Sequence, residues 1–195
     1  MESNSKEAGH LRHQDGQRDM GGPIETSRLL LRCPTQADVG ILSHLWRNKQ
    51  VQQFMGGILS QQDAEARMVD ILHQWEENQA GLWTVCEREK HEPIGLCGFG
   101  LFEAETELIY KLFPAFWGRG YASEAATTCL AYAFQALQRD HIIAVTQEAN
   151  QRSQRVLEKL GMRQRGTLWK WEALQRVYEL SRTEWLIEQE QLETM

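Results

Sequence analysis

The segment Phe116-Trp117-Gly118-Arg119-Gly120-Tyr121-Ala122-Ser123-Glu124-Ala125 carries the densest chemical information in the chain. Gly118 and Gly120 have no Cβ, so the backbone around them can take positive φ and turn successive N–H groups into one anion-binding concavity. The small residues that follow read as a helix, whose first turn adds unpaired N–H groups and the positive end of a dipole. One such dipole contact contributes about 0.3–1 kcal/mol when exposed, so several amides must act together. Arg119, between the glycines, adds a permanent charge and a forked set of donors. Phosphate or pyrophosphate fits this pattern.

Two better-known glycine loops fit less well. A P-loop needs a Lys-Ser/Thr pair to neutralise terminal phosphates and hold magnesium, and that pair is missing here. A dinucleotide loop needs G-x-G-x-x-G directly after its strand within a βαβ unit. Gly118-Arg119-Gly120-Tyr121-Ala122-Ser123 matches this loosely, but Pro114-Ala115-Phe116-Trp117 intervenes and a strand meander lies upstream.

The elements that must position the loop can be read from periodicity and caps. Ser27 to Cys33 is a β-like run, and Asp38 opens a helix through Val39, Leu42, Leu45 and Trp46. Ser60 caps a second helix to Asn78, with Ala64, Met68, Ile71, Leu72 and Trp75 at helical spacing. Leu82–Arg88, Pro93–Phe102 and Glu107–Phe113 form an antiparallel meander. Ala122 to Leu137 is a helix with a small-residue face, and His141 to Thr146 is a strand. Asn150 to Leu160 is a helix closed by Gly161, and Arg176 to Ser181 is the last clear strand. The order β-α-α-β-β-β-α-β-α-β-β is mixed α/β.

A chain of 195 residues holds one domain with a substantial core. The net charge of −6 argues against a nucleic-acid partner and favours a cationic or neutral substrate. Cys33, Cys86, Cys97 and Cys129 are widely spaced, which predicts reduced core thiols and no metal site. No apolar run approaches the roughly 20 residues needed to span a bilayer, so a cytoplasmic protein without membrane association is expected. Residues 1–22 have the composition of a disordered polar tail, and Met20 is an alternative start. The folded domain is expected over residues 23–186, with a C-terminal tail over 187–195.

Pro114, Trp117 through Ala122, Glu124-Ala125, Asn150-Gln151-Arg152-Ser153 and Leu157-Glu158-Lys159-Leu160-Gly161-Met162 together resemble the GNAT superfamily of acyl-CoA-dependent N-acyltransferases. Thr26 to Arg32, Pro93-Ile94-Gly95 and Arg182-Thr183-Glu184-Trp185 extend the likeness over roughly residues 24 to 186, toward the RimJ/RimL-type branch. Trp117 stands where much of the superfamily has Gln or Arg, although this branch commonly carries Trp.

The resemblance implies a mainly antiparallel central sheet flanked by helices and splayed between its fourth and fifth strands, here Glu107–Phe113 and His141–Thr146. Acetyl-CoA is the implied co-substrate. Its pantetheine arm would lie in the splay, paired with backbone near Leu112, and the N–H groups of Gly118, Arg119, Gly120, Tyr121 and Ala122 would hold the pyrophosphate. Trp117 either lines that site or packs in the core. Asn150 would reach the cofactor or simply cap its helix, and Ser153 would lie near the cofactor sulfur as an acid for the thiolate. Arg152, Arg155 and Lys159 either meet the adenosine phosphate or form a solvated face.

The implied reaction is direct attack of a primary amine on the thioester, with a backbone N–H stabilising the oxyanion and no metal. At pH 7 an α-amine is roughly a tenth neutral and a lysine-like amine almost wholly charged, so a base matters. Glu103, Glu105 and Glu107 are the acidic cluster near the expected amine. Simple alternation puts Glu107 on the face opposite Tyr110 and Leu112, so as base it needs a β-bulge to flip the register. Tyr110 is an alternative acid or a core residue. Trp169, Trp171 and Tyr178 line the acceptor pocket or belong to an aromatic core. The acceptor is a protein N-terminus or a small-molecule amine, and the protein a monomer or homodimer. A non-catalytic acyl-CoA-binding sensor is the competing reading, since it would keep the glycine loop without needing a base.

Overall fold

The computed structural model describes residues 22–78 and 81–193, so the polar segment 1–22 lies outside it apart from Gly22. The elements are β1 (Ile24–Glu25), β2 (Leu29–Arg32), α1 (Asp38–Arg47), α2 (Lys49–Gln52), α3 (Gln61–Asn78), β3 (Leu82–Glu87), β4 (Pro93–Phe102), β5 (Glu105–Leu112), α4 (Tyr121–Gln135), β6 (His141–Gln147), α5 (Gln151–Lys159), β7 (Arg163–Lys170), β8 (Ala173–Ser181) and α6 (Arg182–Glu193). All eight strands form one sheet in the order β1-β2-β3-β4-β5-β6-β8-β7.

Neighbouring strands are antiparallel except β5 and β6, which run parallel and share one register position, Glu107 opposite Ile143. Beyond that point they separate toward Leu112 and Gln147. This is the expected splay, between the fifth and sixth strands once the short β1 is counted.

The meander is turned by residues that look unlike turn formers. Glu103 and Ala104 both have positive φ (50° and 71°), which joins β4 to β5 through a two-residue hairpin. Strand β5 therefore starts at Glu105, not at Glu107. Trp171 and Glu172 do the same between β7 and β8, at φ 51° and 58°. Strand β7, for which the sequence offered no bounds, is a mostly exposed edge strand. Helix α6 opens on a capping box in which Ser181 Oγ accepts from Glu184 N–H at 3.2 Å and Glu184 accepts from Ser181 N–H at 3.1 Å. It runs to Glu193 and so crosses the boundary expected at residue 186.

The two faces of the sheet are covered differently. Residues Ala125, Ala126, Cys129 and Ala133 of α4 are fully buried, and Cys129 Sγ lies 3.5 Å from Cys97 Sγ on β4, so the small face lets this helix lie close to the strands. Helix α1 covers the opposite face, where the Lys111 ammonium sits 4.7 Å from the Trp46 ring centroid. Burial opposes the charge of Asp38, but hydrogen bonds from Arg32 and Thr35 hold its carboxyl below the usual range and anchor the start of α1.

Candidate active site

The glycine loop begins where β5 ends. Pro114–Phe116 makes one 3-10 turn, and Trp117 N–H closes it on the Pro114 carbonyl at 3.1 Å. Gly118 and Gly120 then take φ of 75° and 80°, a left-handed conformation that glycine adopts without steric cost. Gly120 is the N-cap of α4 and has no side chain to bond the first turn, so the N–H groups of Tyr121, Ala122 and Ser123 carry no side-chain cap. Arg119 is exposed between the glycines. The concavity read from the sequence is thus present in the backbone.

Trp117 spans the mouth of the splay. Its indole N–H donates to the Leu112 carbonyl at 2.8 Å, and the Arg152 guanidinium lies 5.3 Å from its ring centroid. The ring also packs against the core, as one of the two readings of this residue expects. The Leu112 carbonyl keeps one lone pair for any further donor.

Across the splay, Asn150 caps α5 by accepting from Ser153 N–H at 3.3 Å. Ser153, in the first turn, places its Oγ 2.8 Å from Tyr110 Oη, and Tyr110 also lies 3.2 Å from the Ser153 carbonyl. Burial pushes the Tyr110 phenol far above its ordinary value, so it remains a protonated donor. Arg155 and Lys159 are exposed on α5.

The three carboxylates separate. Glu103 is paired with Lys170 at 2.9 Å. Glu105 takes a fork from Arg165 at 2.7 and 2.8 Å and meets His141 at 3.1 Å, and the Arg165 hydrogen bonds hold its carboxyl down at about 2. Among the described residues Glu107 has no ion-pair partner. The β4–β5 ladder runs unbroken from Phe102–Glu105 to Gly95–Leu112, so the bulge needed to bring Glu107 to the face of Tyr110 does not exist. Glu107 instead sits at the crotch of the splay, opposite Ile143 of β6, where its carboxylate feels the pull of the Val145 N–H. Burial raises it to about 7, against the pull of that N–H and of the Lys111 and Lys170 charges.

The family model for the acetyltransferase (GNAT) domain matches residues 28–163. The chain belongs to the GNAT acetyltransferase family. An uncharacterised N-acetyltransferase, p20 of Bacillus licheniformis, is 30% identical over 150 residues, 74% of this chain and 84% of that protein. The structure is also similar to RimL, a ribosomal L7/L12 α-N-protein acetyltransferase, with a TM-score of 0.73 and 17% identity over 83% of this chain and 94% of that one. Spermidine N-acetyltransferase from Vibrio cholerae, solved with CoA and spermine, gives 0.70 and 17% over 83% and 99%. At that identity the two structures show the shared fold. The enzyme is therefore an acetyl-CoA-dependent acetyltransferase, and among its described residues no helix is long and apolar enough to cross a membrane.

The acetyltransferase disposes of its aromatic residues differently from the core reading. Trp169 and Trp171 are 73% and 59% exposed at the β7–β8 hairpin, while Tyr178 is buried at 2%. Trp171 meets Phe102 edge-on at 5.9 Å, and Lys170 lies 4.4 Å from the Phe102 centroid. Sequence reasoning passed over Lys111, four residues after Glu107 on the same face of β5, whose ammonium burial lowers to about 8. A period-two count from Glu107 would have found it.

Proposed function

We propose that this acetyltransferase moves an acetyl group from acetyl-CoA to an α-amine, such as a protein N-terminus, in the manner of the RimJ/RimL-type branch. The observation that carries the reading is Glu107, a half-buried carboxylate at the crotch of the splay with no ion-pair partner among the described residues, raised to about 7. With no bulge to turn it, Glu107 stays on the face opposite Tyr110, and from that side of the splay it takes the proton of the incoming ammonium through water. From an α-ammonium of pKa about 8 that transfer is uphill by about one unit, or about 1.4 kcal/mol, whereas from a lysine-like ammonium at about 10.4 it is uphill by about 4.6 kcal/mol. The match favours the α-amine.

Glycine-loop amides from Gly118 to Ala122 hold the pyrophosphate, with Arg119 beside them, and the space between Leu112 and Asn150 takes the pantetheine arm. When bound there, acetyl-CoA supplies the activated acyl group. The Ser153 hydroxyl, hydrogen-bonded to Tyr110 at 2.8 Å, protonates the departing thiolate and regains its proton from the nitrogen of the tetrahedral intermediate, which must lose a second proton to become the amide. Acetyl-CoA consumption tests the acceptor class against peptides with free N-termini, polyamines and aminoglycosides. Turnover with the peptides in excess of the others supports the reading, and turnover confined to polyamines or aminoglycosides contradicts it.

A further inference from the structure

Arg28 opens β2 some ninety residues before the glycine loop, yet its side chain is built into that loop. Its Nη1 donates to the Arg119 carbonyl at 2.9 Å, fixing the residue between the two left-handed glycines. The guanidinium lies 4.7 Å from the Tyr121 ring centroid, and Nη2 is 3.4 Å from where a Cβ on Gly120 would stand. Two further donors go to Glu124 in the first turn of α4, Nε at 2.7 Å and Nη2 at 2.5 Å. The same carboxylate gathers Thr26 Oγ1 at 2.6 Å, Ser27 Oγ at 3.2 Å and the Arg28 N–H at 3.1 Å. The β1–β2 turn is thereby tied to the helix start.

Two consequences follow from elementary electrostatics. Glu124 is a carboxylate within one turn of an anion-binding helix end, where its charge opposes any arriving phosphate. Arg28 neutralises it in place. Glycines also leave a loop many conformations to lose on binding, and a clamp on Arg119 removes part of that cost before the ligand arrives. Three of the five guanidinium N–H groups are taken by the Arg119 carbonyl and Glu124, so the contacts Arg28 makes act through the loop.

We infer that Arg28 is a positioning residue for acetyl-CoA, holding the Gly118–Ala122 loop in its anion-binding form and cancelling the Glu124 charge beneath it. This rests on the assignment of that loop to the pyrophosphate. The alternative is an ordinary surface ion pair, which contributes little to stability and nothing to the cofactor.

Calorimetric titration of acetyl-CoA into the full chain, with steady-state kinetics beside it, separates these. Arg28→Ala is expected to weaken binding about tenfold, the loss of one charge-assisted contact, raising KM for acetyl-CoA while kcat at saturation stays within about twofold. Arg28→Lys keeps the charge but cannot bridge Glu124 and the Arg119 carbonyl together, so it should fall between the two; it also serves if the alanine variant does not fold. An unchanged dissociation constant in both variants overturns the inference, as does a fall in kcat with no change in KM. Gly120→Pro separates the layers. If it loses acetyl-CoA while the Arg28 variants do not, only the role of Arg28 fails; if it binds normally, the loop assignment itself fails.

Discussion

Tyr110 on β5 and Ser153 on α5 bring their hydroxyl oxygens to 2.8 Å across the splay, 43 residues apart in sequence. They join β5 to the helix that follows β6, and β5 and β6 are the strands that diverge to make the splay. With Tyr110 kept protonated by burial, the pair is proposed to act as one donor unit toward the departing thiolate. Ser153→Ala should slow turnover by roughly ten- to a hundredfold, with acetyl-CoA affinity changed little. Tyr110→Phe should cost less, and the double variant should be no slower than Ser153→Ala alone, because groups acting as a unit are not additive. Multiplying losses in the kcat values of the four proteins would show that the two hydroxyls act independently.

Gly120→Pro addresses the loop. Proline is held near φ −65° and has no N–H, whereas position 120 has φ 80° and lies within the run of amides proposed to hold the anion. Acetyl-CoA affinity should drop by roughly a hundredfold or more, about 2.8 kcal/mol or more at about 1.4 kcal/mol per tenfold. Titration of folded variant with wild-type affinity would remove the loop from the site.

Glu107 should mark the pH dependence of stability. Its carboxyl is raised from 4.5 to about 7 on folding, so the folded state binds the extra proton between those values. The stabilising contribution is therefore complete below about 4.5 and is lost as pH rises through about 7. Glu105, held at about 2, has the opposite sign: its contribution is present above 4.5 and lost in acid. Glu107→Gln removes the ionisation but keeps the size and an amide oxygen acceptor at this position. Its melting temperature relative to wild type should be higher at pH 8 than at pH 5. An identical difference at both pH values would show that Glu107 is not raised.

Much of this was legible in the chain because local chemistry determined it. Strand β4 ran between the residues that composition marks, Pro93 and Phe102, and Gly161 closes α5 with φ 77°. What escaped had physical causes. Glu103-Ala104 and Trp171-Glu172 are hairpin turns without glycine or asparagine, so their strands began earlier than propensity indicates. In the edge strand β7, Arg163-Gln164-Arg165 is polar and exposed and Trp169 points to solvent, which leaves little alternation to detect. Alternation did place Glu107 on the correct face, opposite Tyr110. It could not reveal that β6 passes close enough for Val145 to meet the carboxylate, nor that Arg28 folds back onto Arg119, since both depend on packing between distant segments.

The central claim is that Glu107 takes the amine proton, and the pH dependence of kcat/KM for an N-terminal peptide tests it most directly. Wild type should lose activity as pH falls below about 7, where Glu107 becomes protonated. Glu107→Gln should be slower by roughly a hundredfold or more at pH 8, without the inflection near 7. A glutamine variant that keeps both the rate and the inflection of the wild type would contradict the account.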